Sequence, residues 1–243
     1  MARNLVPSKT MAIQTDQPLL ENIPGDALIA IDEKFARRFR RRVWLDYRQV
    51  LRRTIEEADL KPGERVLDIT SQDASLALQM VARVTPGQVV CVCPIEDLLQ
   101  RAYKQAQATK LEEHIDWRIA ALEELPFPDE SFDAVTCGLS FRLLNTKVFI
   151  NEVYRLLVPG GRLIITEALM PQTRLNDWRL AARSFYHQYI ARNQAEAEAD
   201  FYSADELADL LLGRGFEPIV IRGLQKPLTR HSWVFSLIKA EKC

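Results

Sequence analysis

The sequence predicts an α/β protein in which a doubly wound, mostly parallel sheet of seven strands is covered by helices on both faces. Short apolar segments, such as residues 65–69 and 89–93, have the length and composition of buried strands. Between them lie segments with apolar residues every three or four positions, and pairs such as Pro86-Gly87 close those segments. Apolar strands that alternate with helices imply parallel strands with both faces buried.

The elements follow one another along most of the chain. A helical pattern covers residues 33–58, and Lys61-Pro62-Gly63 ends it before the first strand. Ser203 begins a late helix with a Ser-x-x-Glu capping box. The remaining helices are predicted at 76–84, 96–109 and 147–157. The remaining strands are predicted at 89–93, 115–119, 132–136, 162–167, 216–221 and 231–238. The last of these strands is expected to be antiparallel, at or near an edge of the sheet.

The chain divides into an N-terminal extension and one domain. Residues 1–28 mix polar residues with three prolines and show no sustained period, whereas residues 29–243 carry the strand and helix pattern. After Glu167 the alternation breaks, and residues 170–202 or thereabouts are predicted to form an inserted helical lid.

Composition excludes several classes of protein. With 243 residues, 47% of them hydrophobic, and a net charge of -1, the chain suits a globular domain and argues against disorder and against nucleic acid as a partner. Four cysteines are too few for a disulfide scaffold and have no zinc spacing, so no metal is predicted. No secretory signal follows Met1, and no apolar run reaches the roughly 18 residues of a membrane span, so we expect a cytoplasmic protein.

Three ordered motifs carry a family resemblance. They are Val66-Leu67-Asp68, the segment ELPFPDESFDAV at 124–135 and the segment EVYRLLVPGGRL at 152–163. With these motifs the chain resembles class I S-adenosylmethionine (SAM) dependent methyltransferases, most closely the menaquinone and ubiquinone C-methyltransferases. The resemblance implies the Rossmann-like class I methyltransferase fold, SAM as cofactor, no metal, and an aromatic small molecule such as a quinone as substrate.

The glycine-rich loop of that family is missing. In the family, glycines after the first strand let the backbone approach the amino acid part of SAM. Asp68 is the first SAM-equivalent position. The loop after it reads Ile-Thr-Ser-Gln-Asp-Ala and contains no glycine, so the SAM-equivalent positions Thr70 and Gln72 carry side chains. We expect these side chains to fill space that the cofactor would use.

Two acidic SAM contacts of the family are also replaced. The carboxylate that accepts hydrogen bonds from the ribose corresponds to Cys93, a weak acceptor. The acidic residue that binds the adenine amino group corresponds to Ala121, which Leu122 follows. The sequence therefore favours a non-methylating or weakly SAM-binding member, a pseudoenzyme candidate that serves as a partner subunit or ligand-binding module. Two alternatives stay open: an active SAM-dependent methyltransferase acting on an aromatic quinone-like or polyketide-like molecule through a modified loop, and a cofactor-free enzyme on the same fold.

Two residues are candidates for catalysis. Arg142 follows the fourth strand, where quinone methyltransferases carry an arginine near substrate and cofactor, and pairing with a nearby carboxylate is an equally good interpretation. His187 lies in the aromatic lid and is the one histidine placed to act as a base, although a lone histidine more often has a structural role.

Two charged segments suggest partners. The arginine-rich helix at residues 37–53 could contact an anionic membrane surface, although a solvated face on a packed helix is the commoner interpretation. The acidic residues Glu196, Glu198 and Asp200 could meet that helix in a homo- or hetero-oligomer.

Overall fold

The computed structural model describes residues 33–69, 74–171, 199–225 and 233–243. The helices are α1 Glu33–Val43, α2 Tyr47–Ala58, α3 Ser75–Val84, α4 Glu96–Thr109, α5 Thr146–Leu156 and α6 Ala204–Arg214. The strands are β1 Arg65–Ile69, β2 Gln88–Cys93, β3 Ile115–Ile119, β4 Phe132–Gly138, β5 Leu157–Leu169, β6 Phe216–Gly223 and β7 Val234–Lys242.

These seven strands form one sheet in the order β3-β2-β1-β4-β5-β7-β6. Strands β1 to β5 are parallel to one another, and β7 lies between β5 and β6 and is antiparallel to both. The predicted seven-stranded, mostly parallel sheet is confirmed, with the antiparallel strand one place in from the edge. The strand order reverses between β1 and β4, and in open α/β sheets ligands bind outside the carboxyl ends of the strands at such a switch point.

Two apolar layers enclose the sheet. Alternate residues of each strand face opposite sides, so Val66 packs with helices α1 to α4, whereas Leu67 packs with α5 and α6. Both side chains are completely buried. The strands have near-continuous apolar sequences because both faces of the sheet are buried.

The prediction of one helix over residues 33–58 is wrong in one respect, because this segment forms two helices, α1 and α2. Trp44 adopts a left-handed φ of 59° after α1 ends, and the Asp46 side chain caps α2 by accepting a hydrogen bond from the Arg48 backbone amide at 3.0 Å. The apolar pattern does not reveal the break, since a spacing of four residues continues through it at Phe39, Val43 and Tyr47.

A buried arginine links four elements at the amino end of the sheet. Arg162 in β5 pairs with Glu64, just before β1, through two hydrogen bonds of 2.7 and 3.1 Å. The guanidinium also donates to the carbonyls of Ala58 and Asp59 at the end of α2, and to the carbonyl of Asp133 in β4. A buried charge of this kind is tolerated because each of its nitrogens has an acceptor.

We expect Arg162→Met to lower the free energy of unfolding by about 3–5 kcal/mol, because it leaves the Glu64 carboxylate without its partner. Urea unfolding measures the loss. The matched control is Arg222→Met, which removes an ion pair with Glu57 whose arginine side chain is 61% exposed and should cost no more than about 1 kcal/mol. Equal losses in the two variants would contradict a structural role for Arg162.

A second ion pair fastens the turn at residues 125–129 to α5. The Glu152 carboxylate accepts a hydrogen bond from the Leu125 amide at 2.7 Å and pairs with Arg155 at 2.6 Å. Arg155 in turn donates to the Asp129 carboxylate and to the Phe127 carbonyl. Hydrogen bonding to the Arg155 guanidinium holds the pKa of Glu152 below its usual value. The motifs ELPFPDESFDAV and EVYRLLVPGGRL are thus in contact through their charged residues.

Glu152→Gln should lower the free energy of unfolding by about 1–3 kcal/mol at neutral pH, because it removes a charge-assisted acceptor. Since the folded pKa of Glu152 is depressed, this stabilisation is present above the ordinary carboxyl pKa of 4.5 and is lost as the pH falls through the folded value. Denaturant unfolding at several pH values should show the difference from the unsubstituted protein shrinking below that pH. The exposed neighbour Glu123, changed to Gln, serves as control, and a difference that does not vary with pH would refute the assignment.

Candidate functional site

The carboxyl ends of the parallel strands define the candidate site. Strands β1, β2, β3 and β4 end at Ile69, Cys93, Ile119 and Gly138. Register pairs Ile69 with Val92 and Cys93 with Ile119, so these strands finish nearly level. The residues that follow each strand therefore meet along one edge, as the resemblance requires of a cofactor site.

Asp68, the acidic residue predicted at the end of β1, is turned toward the interior of the sheet. Its side chain is 2% exposed and accepts a hydrogen bond of 2.6 Å from the Thr136 hydroxyl on the neighbouring strand β4. Asp68 and Thr136 are register partners, which brings the two side chains together. The predicted positions Thr70 and Gln72 lie outside the described residues.

The first turn of α3, which follows the glycine-free loop, has its own side-chain partner. The Ala74 amide donates to the Gln105 side-chain oxygen at 3.1 Å, and the Gln105 amide nitrogen donates to the Ser75 hydroxyl at 3.1 Å. In this fold a helix N-terminus offers its free amides to anionic groups. Here α4 supplies an acceptor to one of those amides. Sequence analysis missed Gln105, because no pattern in α4 marks one glutamine as reaching another helix.

Cys93 ends β2, where the family resemblance implies a ribose-binding carboxylate. Its side chain is 1% exposed, and the thiol donates to the Ile95 carbonyl at 3.4 Å. Burial raises the pKa of the Cys93 thiol, and the charge of nearby Asp68 raises it further. The end of β2 therefore carries a neutral thiol that faces its own chain, followed by Ile95, which is 53% exposed.

The end of β3 is apolar as well. Ala121, at the position that the resemblance assigns to the adenine contact, is exposed and has no polar side-chain atom. Leu122 is buried in the layer that includes Leu125, and Ile119 is 47% exposed. A groove of about 250 Å³ reaches Ile119 and runs between β3 and α4, where Trp117 and Tyr103 line it. Trp117, Tyr103 and Ile119 offer apolar contacts at this end of the edge, and the groove is also lined by polar or charged residues, namely Glu96, Gln100, Lys104 and Gln107.

Arg142 lies in a short 3-10 helix after β4 and is paired. Its guanidinium contacts both carboxylate oxygens of Glu167 at 3.1 and 3.2 Å and donates to the Leu139 carbonyl at 2.8 Å. Its backbone carbonyl accepts a hydrogen bond from the Asp200 amide at 2.8 Å. This geometry fits the carboxylate-pairing interpretation, and Glu167, buried at the end of an apolar strand, is the partner that sequence analysis did not name.

Buried polar groups line the edge near β4 and β5. Cys137 lies 3.5 Å from the Ser140 hydroxyl, and burial raises the pKa of its thiol to about 12. This thiol is therefore protonated, and a poor nucleophile, at neutral pH. Nearby, the Tyr202 ring packs against Phe141 with ring centres 6.3 Å apart, and burial raises the pKa of its hydroxyl.

His187 and most of the predicted lid lie outside the described residues. The structure does describe both ends of that segment: the Met170 amide donates to the Tyr202 carbonyl at 2.9 Å, and Met170 pairs with Ser203 in a β-bridge. The catalytic role of His187 stays a prediction. Within residues 33–69, 74–171, 199–225 and 233–243, no helix is long and apolar enough to cross a membrane, and no three His, Cys, Asp or Glu side chains form a group that could hold a metal ion.

The described side chains do not fit the ribose and adenine contacts that the resemblance implies. A ribose diol needs an acceptor able to take two hydrogen bonds, and at the end of β2 the Cys93 thiol is a neutral donor. An adenine amino group needs an acceptor too, and Ala121 provides none from its side chain.

Comparison with known proteins finds similarity to methyltransferases. Residues 67–165 match the family model of a methyltransferase domain. A demethylmenaquinone methyltransferase of Symbiobacterium thermophilum is 33% identical over 125 residues, which make up 51% of this chain and 50% of that relative. A ubiquinone/menaquinone biosynthesis C-methyltransferase of Cereibacter sphaeroides is 26% identical over 177 residues, 68% of this chain and 70% of that relative. The chain thus spans half the length of the first of these relatives.

Solved structures share the same fold. Geranyl diphosphate C-methyltransferase from Streptomyces coelicolor A3(2) superposes with a TM-score of 0.65 at 14% identity, over 89% of this chain and 87% of that one. The [4+2]-cyclase SpnF superposes with a TM-score of 0.64 at 18% identity, over 80% of each chain. At these identities the likeness concerns the fold. Fold, family model and relatives agree: the chain has the class I methyltransferase fold, residues 67–165 match a methyltransferase domain, and the chain is similar to the quinone C-methyltransferases.

Proposed function

We propose that this chain is a methyltransferase-fold protein that binds SAM weakly or not at all and serves as a ligand-binding or partner subunit. The observation that carries the proposal is the state of Cys93 at the end of β2. A buried, neutral thiol that donates to the Ile95 carbonyl stands where ribose recognition needs a paired acceptor. Hydrogen bonds to a charged group contribute about 1.5–3 kcal/mol each, so losing one weakens binding by roughly 10–150-fold.

Three further features support weak SAM binding. Ala121 removes the adenine acceptor, and Gln105 already supplies an acceptor to the Ala74 amide at the start of α3. The segment that follows Asp68 in the sequence, with Thr70 and Gln72, has no glycine that would let the backbone approach a ligand. The losses fall on separate parts of the cofactor, so their effects on affinity should multiply.

The exposed apolar residues at the carboxyl edge of the sheet suggest which kind of group binds there in place of a ribose. Ile95 and Ile119 are about half-exposed at the ends of neighbouring strands, a surface better suited to an apolar or aromatic group than to a sugar. The buried ion pair of Arg142 with Glu167 shapes the other end of the edge. We therefore infer an apolar small molecule, or an apolar side chain of a partner protein, as the occupant.

The comparisons favour a second candidate. Relatives at 26–33% identity are named as quinone methyltransferases, so an active enzyme that holds SAM in a modified loop and methylates an aromatic molecule is the alternative. A cofactor-free enzyme is the third, and a structural neighbour described as a cyclase lends it an analogy of fold alone. SAM affinity separates the first two candidates, and turnover of a small molecule without SAM identifies the third.

Calorimetric titration with SAM and with S-adenosylhomocysteine should give no binding heat up to millimolar ligand, because positions 93 and 121 carry no carboxylate. Thermal melting provides an independent measurement, since ligand at one hundred times its Kd would stabilise the protein by about 2.7 kcal/mol. Binding at micromolar ligand would overturn the proposal and leave the active methyltransferase in its place.

Restoring the acceptors should restore affinity. The double variant Cys93→Asp/Ala121→Asp reintroduces both carboxylates, and we expect binding at least about tenfold tighter for each acceptor that reaches the ligand. Ala108→Asp adds one charge on the exposed face of α4 and should have no effect. If the double variant folds, as judged by an unchanged melting profile, and still gives no binding heat, then the missing carboxylates are not the main cause of the loss.

A further inference from the structure

Basic charge is concentrated in one short stretch of this chain. Residues 34–53 contain nine lysines and arginines and a single acidic residue, Asp46, although the whole chain has a net charge of -1. The excess of positive charge is therefore local, and the net charge of the whole chain does not reveal it. A local field of this kind attracts anionic partners even when the protein as a whole is nearly neutral.

The packing of α1 and α2 turns this charge outward. Ala36 and Phe39 of α1, and Val50 and Leu51 of α2, are buried against the sheet layer. Seven arginines at other positions of the two helices are exposed. We call this exposed set the basic surface, and its members are Arg37, Arg38, Arg40, Arg41, Arg48, Arg52 and Arg53.

Much of the charge on the basic surface is not neutralised by neighbours. Arg48 pairs with Glu33, which joins the beginnings of the two helices. In the part of the chain that the structure describes, Arg40, Arg41, Arg52 and Arg53 form no ion pair. Four guanidinium groups are therefore available to phosphate oxygens, which they contact with a planar set of donors.

A tryptophan stands between the two helices of the basic surface. Trp44 is 86% exposed, the largest exposure among the large apolar side chains described. Its left-handed backbone and the cap at Asp46 fix the reversal of the chain at this point. An exposed indole ring among arginines has the composition of a membrane-interface anchor, in which the ring lies at the level of the lipid headgroups and the cations contact phosphates.

We propose that the basic surface docks this protein on an anionic lipid bilayer, with the Trp44 ring inserted at the headgroup level. The apolar sides of α1 and α2 are already used by the protein core, so the attachment is peripheral and rests on charge and one aromatic side chain. A single-stranded nucleic acid would also meet the arginines, but such binding depends on successive aromatic stacking positions. On the described part of this surface Trp44 is the one exposed large aromatic residue. This proposal is independent of SAM binding.

The full chain is tested by co-sedimentation with vesicles of phosphatidylcholine alone and of phosphatidylcholine mixed with phosphatidylglycerol. We expect binding to the mixed vesicles only, and weaker binding as salt rises. Arg40→Gln/Arg41→Gln should weaken it about fivefold for each charge removed, on the order of 25-fold together. Trp44→Ala should also weaken it, and the blue shift of tryptophan emission on vesicle addition should be lost in that variant.

The matched control is Arg101→Gln/Lys104→Gln, which removes the same charge from the exposed face of α4 and should leave vesicle binding unchanged. Thermal melting of each variant verifies that it is folded. Equal loss in the control and the test variant, or no binding of the unsubstituted chain to anionic vesicles at low salt, would overturn the proposal. It would equally be overturned by an arginine-dependent affinity for a single-stranded RNA oligonucleotide in the absence of vesicle binding.

Discussion

The ion pair between Arg162 and Glu64 holds together the end of the sheet opposite the site. From β5 the guanidinium contacts the carbonyls at the end of α2, the carboxylate before β1 and a carbonyl of β4. Because β1, β4 and β5 are parallel, fixing them at the amino end also fixes how level they finish at the carboxyl end. The geometry of the candidate site therefore depends on the contact between Arg162 and Glu64 at the opposite end of the same strands.

The two ends of the sheet use their polar residues differently. At the amino end, Arg162 and Arg155 form dense hydrogen-bond networks that fasten turns to strands and helices. At the carboxyl end, polar side chains are paired inside the protein, as Asp68 is with Thr136 and Arg142 is with Glu167. Two of the motifs that resemble the methyltransferase family, at residues 124–135 and 152–163, contribute to the networks at the amino end. This division explains how a chain can retain the fold while the residues that would contact a cofactor have changed.

The basic surface adds a second, separate feature to the molecule. It lies on the two helices that precede β1, and their buried residues are part of the core, so the arginines are presented on a rigid support. A charge pattern of this strength within a nearly neutral chain affects association more than stability, because exposed charges gain little from folding and act at long range on partners. The candidate site and the basic surface thus differ in chemistry, since the first has exposed apolar side chains and the second has exposed arginines.

The sequence by itself determined the sheet, because strands buried on both faces must be apolar and their alternation with helices admits few topologies. It also identified Cys93, at the end of one strand, and Ala121, after the next, as positions without the carboxylates that the family resemblance implies. Only the tertiary structure decided the partners of buried polar groups: Glu167 for Arg142, the Ile95 carbonyl for Cys93, and Gln105 for the start of α3. The break at Trp44 was likewise hidden by a spacing that both helices share. Local composition governs burial and periodicity, whereas a hydrogen bond between distant residues depends on where the whole chain places its two ends.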